Sequence, residues 1–119
     1  MAASSTVFLL EPDEAVRNAL SVLMRREGWK VRTFDKALDW QEADQEAVCL
    51  VAEAELPDIS AEEIIQGAKE SRIPIIFIGH NISPQSAVDL IHKGALDFLE
   101  MPFLQKRLVD LLNTLRSTD

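Results

Sequence analysis

The stretch Val7-Phe8-Leu9-Leu10-Glu11-Pro12-Asp13 joins four consecutive apolar residues to an acidic turn. An unbroken apolar run of this length, bounded by polar residues, is typical of a strand that is buried on both faces of a parallel sheet. Asp13 then precedes apolar residues at helical spacing, so it is placed to cap a helix. The stretch therefore predicts a buried strand that leads directly into a helix.

The rest of the chain repeats this alternation of strand and helix. Apolar runs at 47–52 and 75–78 predict two further buried strands, and the more mixed segments 30–34 and 97–99 predict edge strands. Strands that alternate with helices imply right-handed crossovers and a parallel sheet covered on both faces. The predicted fold is α/β, a three-layer sandwich around a five-stranded parallel sheet.

Apolar residues at helical spacing mark most of the helices. The second helix, within 36–42, is expected to be short or distorted, because Trp40 is its only large anchor. The first helix is marked by Val16, Leu20 and Leu23 and is expected to stop at Gly28, and the third is marked by Ile64, Ile65 and Ala68 after a cap at Ser60. The fourth is marked by Val88, Leu90 and Ile91 and ends near Gly94. The last is marked by Leu104, Leu108, Leu111, Leu112 and Leu115.

Length, composition and charge limit the class of protein. The 119 residues, 47% hydrophobic, suit a single domain, ordered from about residue 7 to 116, with short tails at 1–6 and 117–119. A net charge of -8 disfavours direct contact with nucleic acid or anionic lipid. The chain has no secretory signal pattern and no apolar run near the roughly 18 residues of a membrane span, so we expect a cytoplasmic domain.

Two stretches resemble the receiver domain of bacterial two-component response regulators. Residues 93–103, KGALDFLEMPF, are similar to the family's K-A-G-A-x-D-F-L-x-K-P-F segment, and residues 7–16, VFLLEPDEAV, to its V-x-I-V-D-D-D-x-x-V opening. The resemblance extends over nearly the whole chain. It implies the flavodoxin-like receiver fold with strand order 2-1-3-4-5, a role in signal transduction and no enzymatic activity. The site is then expected beyond the carboxyl ends of the strands.

Several pocket positions of the family carry different chemistry in this chain. The acidic pair that holds Mg²⁺ in the family falls on Glu11 and Pro12, with Asp13 next in line, so the resemblance implies weak or absent Mg²⁺ binding and no cofactor. The phosphate-accepting aspartate falls on Glu53, four residues before Pro57. Glu53 is interpreted either as a solvated acid or as a permanent single charge that partly imitates an aspartyl phosphate.

The positions that respond to phosphate in the family also differ. The switch hydroxyl falls on Gly79, which has none, and the phosphate-binding lysine falls on Met101. Losing that lysine removes a charge-assisted hydrogen bond worth roughly 1.5 to 3 kcal/mol. Phe98 matches the family's aromatic switch position, although core packing is the simpler interpretation. By the same resemblance, the bond between Met101 and Pro102 is expected to be cis.

These substitutions favour an atypical receiver, or pseudo-receiver, that acts as a protein-interaction module and is not regulated by aspartyl phosphorylation. An alternative is a phosphotransfer-competent receiver in which Glu53, Glu55 or Asp13 accepts phosphate. A remote alternative is a flavodoxin-like domain that binds a small ligand or cofactor, since a fold alone does not define a function.

The expected partner is another protein or the chain's own output domain, as in transcription regulators of this family. The resemblance also suggests a homodimer through the fourth helix, fifth strand and fifth helix, at about 86–115. The lone Cys49 and both tryptophans, Trp29 and Trp40, are interpreted as packing residues, and His80 and His92 as surface residues without a metal. Mixed charges on the possible dimer face are Asp89, Lys93, Asp97, Lys106, Arg107 and Asp110.

Overall fold

A computed structural model describes residues 5–43, 46–103 and 105–116, and strands alternate with helices throughout, as predicted. Residues 1–4, 44–45, 104 and 117–119 lie outside the described part, so the predictions for Leu104 and for most of both tails are not tested. The elements are β1 (Thr6–Leu10), α1 (Glu14–Arg26), β2 (Lys30–Phe34), α2 (Ala37–Gln41), β3 (Cys49–Glu53), α3 (Ala61–Glu70), β4 (Ile75–Gly79), α4 (Pro84–His92), β5 (Asp97–Glu100) and α5 (Gln105–Arg116).

The five strands form one parallel sheet in the order β2-β1-β3-β4-β5, which confirms the predicted fold and strand order. The unbroken apolar runs are the three inner strands, and the mixed segments β2 and β5 are the two edges. This follows from burial, since inner strands are covered on both faces whereas edge strands contact water. All five carboxyl ends point to the same side, which is the edge that carries the candidate site.

Two hydrophobic cores cover the two faces of the sheet. Alternation along β1 shows how they form, because Phe8 and Leu10 pack towards α2, α3 and α4 whereas Val7 and Leu9 pack towards α1 and α5. Leu108 and Leu112 of α5 are almost fully buried in the second core. Both cores hold the strands, and therefore the strand ends, in fixed register.

Local signals set the ends of several helices as the sequence predicts. The Asp13 side chain accepts a hydrogen bond from the Val16 backbone nitrogen and caps α1. Ser60 caps α3 and forms a reciprocal capping box with Glu63. Gly28 follows α1 with a φ of 93°, a left-handed conformation that favours glycine.

The structure corrects the prediction for the fourth helix. Only Leu90 is buried in α4, whereas Val88 is 42% and Ile91 is 39% exposed. The helix packs beside β5, the short edge strand, so one position of its apolar stripe meets the core and the other two face water. Thr6 also belongs to β1 and not to the expected tail.

The two tryptophans and the cysteine are packing residues, as predicted. Trp29 and Trp40 are nearly buried, and the Trp40 ring packs against Gly67 of α3. The Arg116 guanidinium lies 4.0 Å from the centre of the Trp29 ring. Cys49 is fully buried, and burial raises the pKa of its thiol to about 12, which makes it inert.

Helix length also bears on the possibility of a membrane span. The longest helix in the described part of the chain, α1, has 13 residues. Over the residues that the structure describes, no helix is both long and apolar enough to cross a bilayer.

Candidate functional site

The carboxyl ends of four strands bring the predicted site residues to one edge of the sheet. Backbone hydrogen bonds continue beyond the strands there, from Ala54 N to Ile78 O at 2.9 Å and from Met101 N to Gly79 O at 2.7 Å. The edge is therefore well ordered around the site. The site residues are Glu11 after β1, Glu53 at the end of β3, Gly79 at the end of β4 and Met101 after β5.

Glu11 is a buried acid, with only 5% of its surface exposed. Its Oε2 accepts a hydrogen bond of 3.0 Å from the Asp13 backbone nitrogen. Burial is the main cause that raises the pKa of the Glu11 carboxyl, and the hydrogen bond from Asp13 opposes it. Glu11 therefore differs from a carboxylate that faces open water.

The two residues after Glu11 have different roles, and neither offers a free side-chain ligand atom. Pro12 is exposed and has no side-chain ligand atom, and the Asp13 carboxylate is engaged as the cap of α1. Arg17, which the sequence analysis did not single out, donates from Nη1 to the Glu11 carbonyl at 2.8 Å and the Pro12 carbonyl at 3.2 Å. Arg17 lies one helical turn after the Asp13 cap, and this spacing could have identified it from the sequence.

Glu11, Pro12 and Asp13 do not fit the kind of Mg²⁺ site that the family has at these positions. Mg²⁺ takes six oxygen ligands in near-octahedral geometry, and proteins usually supply one or two carboxylates while waters complete the set. Here one carboxylate is buried and bonded to backbone, a second caps a helix and the residue between them offers no oxygen on its side chain. In the described ranges, no three His, Cys, Asp or Glu side chains come together as metal ligands.

Glu53 is half-buried, and its Oε2 accepts a 3.0 Å hydrogen bond from the Ala54 backbone nitrogen. Burial raises the pKa of Glu53 to about 7, and the negative charge of Glu11 raises it further in the same direction. Protonated and ionised forms therefore coexist near neutral pH. Both interpretations of Glu53, as a solvated acid and as a permanent charge, stay predictions, and the raised pKa bears on each of them.

Phe98 and Glu53 both lie close to Gly79. A Cβ atom at position 79 would lie 3.1 Å from Phe98 Cζ and 3.3 Å from Glu53 Oε2. Phe98 is only 9% exposed and belongs to the core between the sheet and α2, α3 and α4, which confirms its packing role. The absence of a side chain at position 79 leaves the room that the ring and the carboxyl group occupy.

Two basic side chains act on the acids at this edge, His80 on Glu11 and Glu53 and Arg17 on Glu11. Met101, at the lysine position, is partly buried, and its peptide bond to Pro102 is cis. His80 is exposed, as predicted, yet its positive charge lowers the pKa of both Glu11 and Glu53. Sequence alone does not reveal this influence, although His80 directly follows the end of β4. His92 is exposed on α4, as predicted.

The strand order, together with acidic residues at the carboxyl edge, defines a receiver-type α/β sandwich. Comparison with solved structures agrees, because full-length FixJ from B. japonicum matches with a TM-score of 0.85 at 26% identity, over 97% of this chain and 58% of that chain.

Curated relatives identify the family. The transcriptional regulatory protein TdiR of Thauera aromatica is 32% identical over 92% of this chain and 50% of its own length. The response regulator protein TodT of Pseudomonas putida is 36% identical over 89% of this chain and 48% of its own length. No family model matches the chain. The chain is a response-regulator receiver domain, and it spans about half the length of these curated relatives.

Proposed function

We propose that this receiver domain signals through contacts with other proteins and is not regulated by aspartyl phosphorylation. The observation that carries the proposal is the state of Glu53. At the position that corresponds to the phosphate acceptor stands a half-buried glutamate, bonded to the Ala54 backbone nitrogen, with a pKa of about 7. Only the ionised share of Glu53 can attack a phosphodonor, and its Oε2 atom is already bonded to the Ala54 backbone nitrogen.

The neighbours of Glu53 add to this argument. A phosphoryl group there would meet no hydroxyl from Gly79 and no ammonium group from Met101. Each missing charge-assisted hydrogen bond removes roughly 1.5 to 3 kcal/mol of stabilisation. The acid at Glu11 adds negative charge close by, which repels an incoming phosphate.

Intact mass measurement tests the proposal. The domain is incubated with a small-molecule phosphodonor and Mg²⁺, and we expect no gain of a phosphoryl group. The matched control is the triple variant Glu53→Asp, Pro12→Asp and Met101→Lys, which restores acceptor, metal ligand and cation and is expected to gain one. Phosphorylation of the unmodified domain that Glu53→Gln abolishes would refute the proposal and establish phosphotransfer at this glutamate.

The partner surface is proposed to be apolar. Three exposed apolar side chains, Val88, Ile91 and Leu96, lie on α4 and just before β5. Most charges expected to pair across a dimer are instead paired within the chain, and exposed pairs of this kind contribute little to association. These internal pairs are Lys93 with Glu62 at 2.8 Å, Lys106 with Asp110 at 2.7 Å and Arg107 with Asp97 at 3.6 Å.

Light scattering over a series of salt concentrations tests this surface. If the apolar side chains hold a second copy of the domain, the dimer persists at high salt and Leu96→Glu dissociates it. Leu38→Glu is the control, because Leu38 is 59% exposed on α2, away from this face. A dimer that salt dissolves would show that charges hold it, and a monomer at all concentrations would exclude self-association through this face.

The proposal extends to the longer protein. TdiR is named a transcriptional regulatory protein and is about twice the length of the part that matches. We infer that this domain works beside an output domain in a transcription regulator. Fusing it to such a domain and measuring promoter activity with and without Leu96→Glu would test the role of its surface there.

A further inference from the structure

We propose that a cavity between the ends of α2 and α3 binds a small organic cation with an aromatic body. We call it the α2–α3 cavity. Its volume is about 560 Å³, and its walls come from the last residues of both helices and from the connections that lead to β3 and β4. Sites for small molecules typically have volumes of roughly 300 to 1,000 Å³. The inference goes beyond the proposed function and does not depend on whether Glu53 accepts phosphate.

The α2–α3 cavity lies at the opposite end of the domain from Glu53. In a parallel sheet each crossover helix runs back from the carboxyl edge to the amino edge. Gln41 and Glu70, the last residues of α2 and α3, both line the cavity and therefore lie at the amino edge. A ligand there would leave the acidic residues of the carboxyl edge uncovered.

The inner wall of the cavity is apolar and aromatic. Trp40 and Phe8 line it and are 5% and 2% exposed. The Trp40 ring packs closely on α3, since a Cβ atom at Gly67 would lie 3.0 Å from its Cη2 atom. Ile73, which is partly buried, packs against the same core. A flat apolar ligand can therefore exchange water for contact with side chains that the core already holds in place.

The charges at the cavity mouth favour a positive ligand. Three exposed charged residues line it, and the carboxylates of Glu46 and Glu70 outnumber the guanidinium of Arg72. Glu70 also ends α3, and the last turn of a helix carries a partial negative charge. The net charge of -8 adds attraction over a longer range. A cation is therefore held better at this mouth than an anion of the same shape.

Glu70 and Arg72 are the two residues that separate a cationic from an anionic ligand. The Glu70 carboxylate is exposed and accepts a long hydrogen bond, 3.4 Å, from Gln66 Nε2, so it can turn towards an ammonium group. Arg72 is exposed directly after α3 and would repel the same group, whereas it would bind a carboxylate. Removing each charge in turn should therefore change the affinity for a cation in opposite directions.

Nuclear magnetic resonance of the isotope-labelled domain tests the site with two probes of matched size, phenethylammonium and hydrocinnamate. We expect phenethylammonium to cause saturable shifts of the Trp40 indole signal and the Gly67 amide signal, and hydrocinnamate to bind several-fold more weakly. The Trp29 indole is an internal control. It belongs to the core on the other face of the sheet and should not shift.

Surface variants then test the charges without disturbing the core. Glu70→Gln should weaken the binding of phenethylammonium about two- to fivefold, as expected for an exposed ion pair, and Arg72→Gln should strengthen it by a similar factor. The control is Glu100→Gln, which removes an exposed acid from the carboxyl edge and changes the net charge equally. It should leave the affinity unchanged.

Three results would overturn the proposal. The first is the absence of saturable shifts at Trp40 and Gly67 with phenethylammonium. The second is tighter binding of hydrocinnamate that Arg72→Gln weakens, because the site would then select anions. The third is an equal loss of affinity in Glu70→Gln and Glu100→Gln, which would show general attraction to an acidic domain. No phosphodonor is present, so none of these results bears on phosphorylation of Glu53.

Discussion

Replacing Glu53 by glutamine should make the stability of the domain depend less on pH. The unfolded chain releases the Glu53 proton near the ordinary pKa of 4.5, whereas the folded domain keeps it until about pH 7. Between these values the native state binds more protons than the unfolded state, so stability falls as the pH rises. Burial and the charge of Glu11 are the causes of this loss.

The size of the effect follows from the shift in pKa. At about 1.4 kcal/mol per pKa unit, the full shift corresponds to about 3 kcal/mol. Because Glu53 is only half-buried, water and salt screen its charge, and we expect about 1 to 2 kcal/mol. The Glu53→Gln variant should match the unmodified domain near pH 4 and exceed it by that amount at pH 8.

Urea unfolding at a series of pH values measures the difference, and carbon resonance titration of the Glu53 carboxyl reports its pKa directly. The control is Glu100→Gln, which removes an exposed acid from the same edge of the sheet and should give no such pH-dependent gain. A difference between Glu53→Gln and the unmodified domain that stays constant from pH 4 to pH 8 would refute the reasoning. A carboxyl that titrates near 4.5 would refute it as well.

Three further predictions concern packing and helix ends. Leu108→Ala should lower the free energy of unfolding in urea by about 2 to 5 kcal/mol, because the side chain is fully buried, and a loss below 1 kcal/mol would contradict the packing described. Ser60→Ala should cost about 1 kcal/mol by removing the cap of α3, whereas Ser71→Ala at the exposed far end should cost little; equal losses would contradict the capping role. Arg116→Ala should cost about 0.5 to 1 kcal/mol and change the fluorescence of Trp29, and an unchanged spectrum would show that the stacking is absent in solution.

The fold was predictable because its signals are local and repeated. The unbroken apolar runs of β1, β3 and β4 and the mixed composition of β2 and β5 separate inner from edge strands before any contact is known. Asp13 and Ser60 predict where helices begin, because their short side chains accept hydrogen bonds from the backbone of the first turn. The order of the strands came from the family resemblance and not from these patterns.

The site was predictable in position but not in electrostatics. Strand ends place Glu53 and Gly79 at one edge, whereas a pKa depends on burial and on the neighbours that the fold brings close. The influence of His80 and the contact of Arg17 with the Glu11 carbonyl are of this kind. The exposure of Val88 was missed for a related reason, since helical spacing identifies a stripe but not how much of it the sheet covers.

The division of the interior into two cores has a consequence for synthesis on the ribosome. The core against α2, α3 and α4 can close once β5 has left the exit tunnel, but the opposite core needs Leu108 and Leu112 from the last helix. Until α5 emerges, the apolar face formed by Val7, Val51 and Ile78 stays open to chaperones and to other nascent chains. Completion of the domain therefore waits until α5 has emerged.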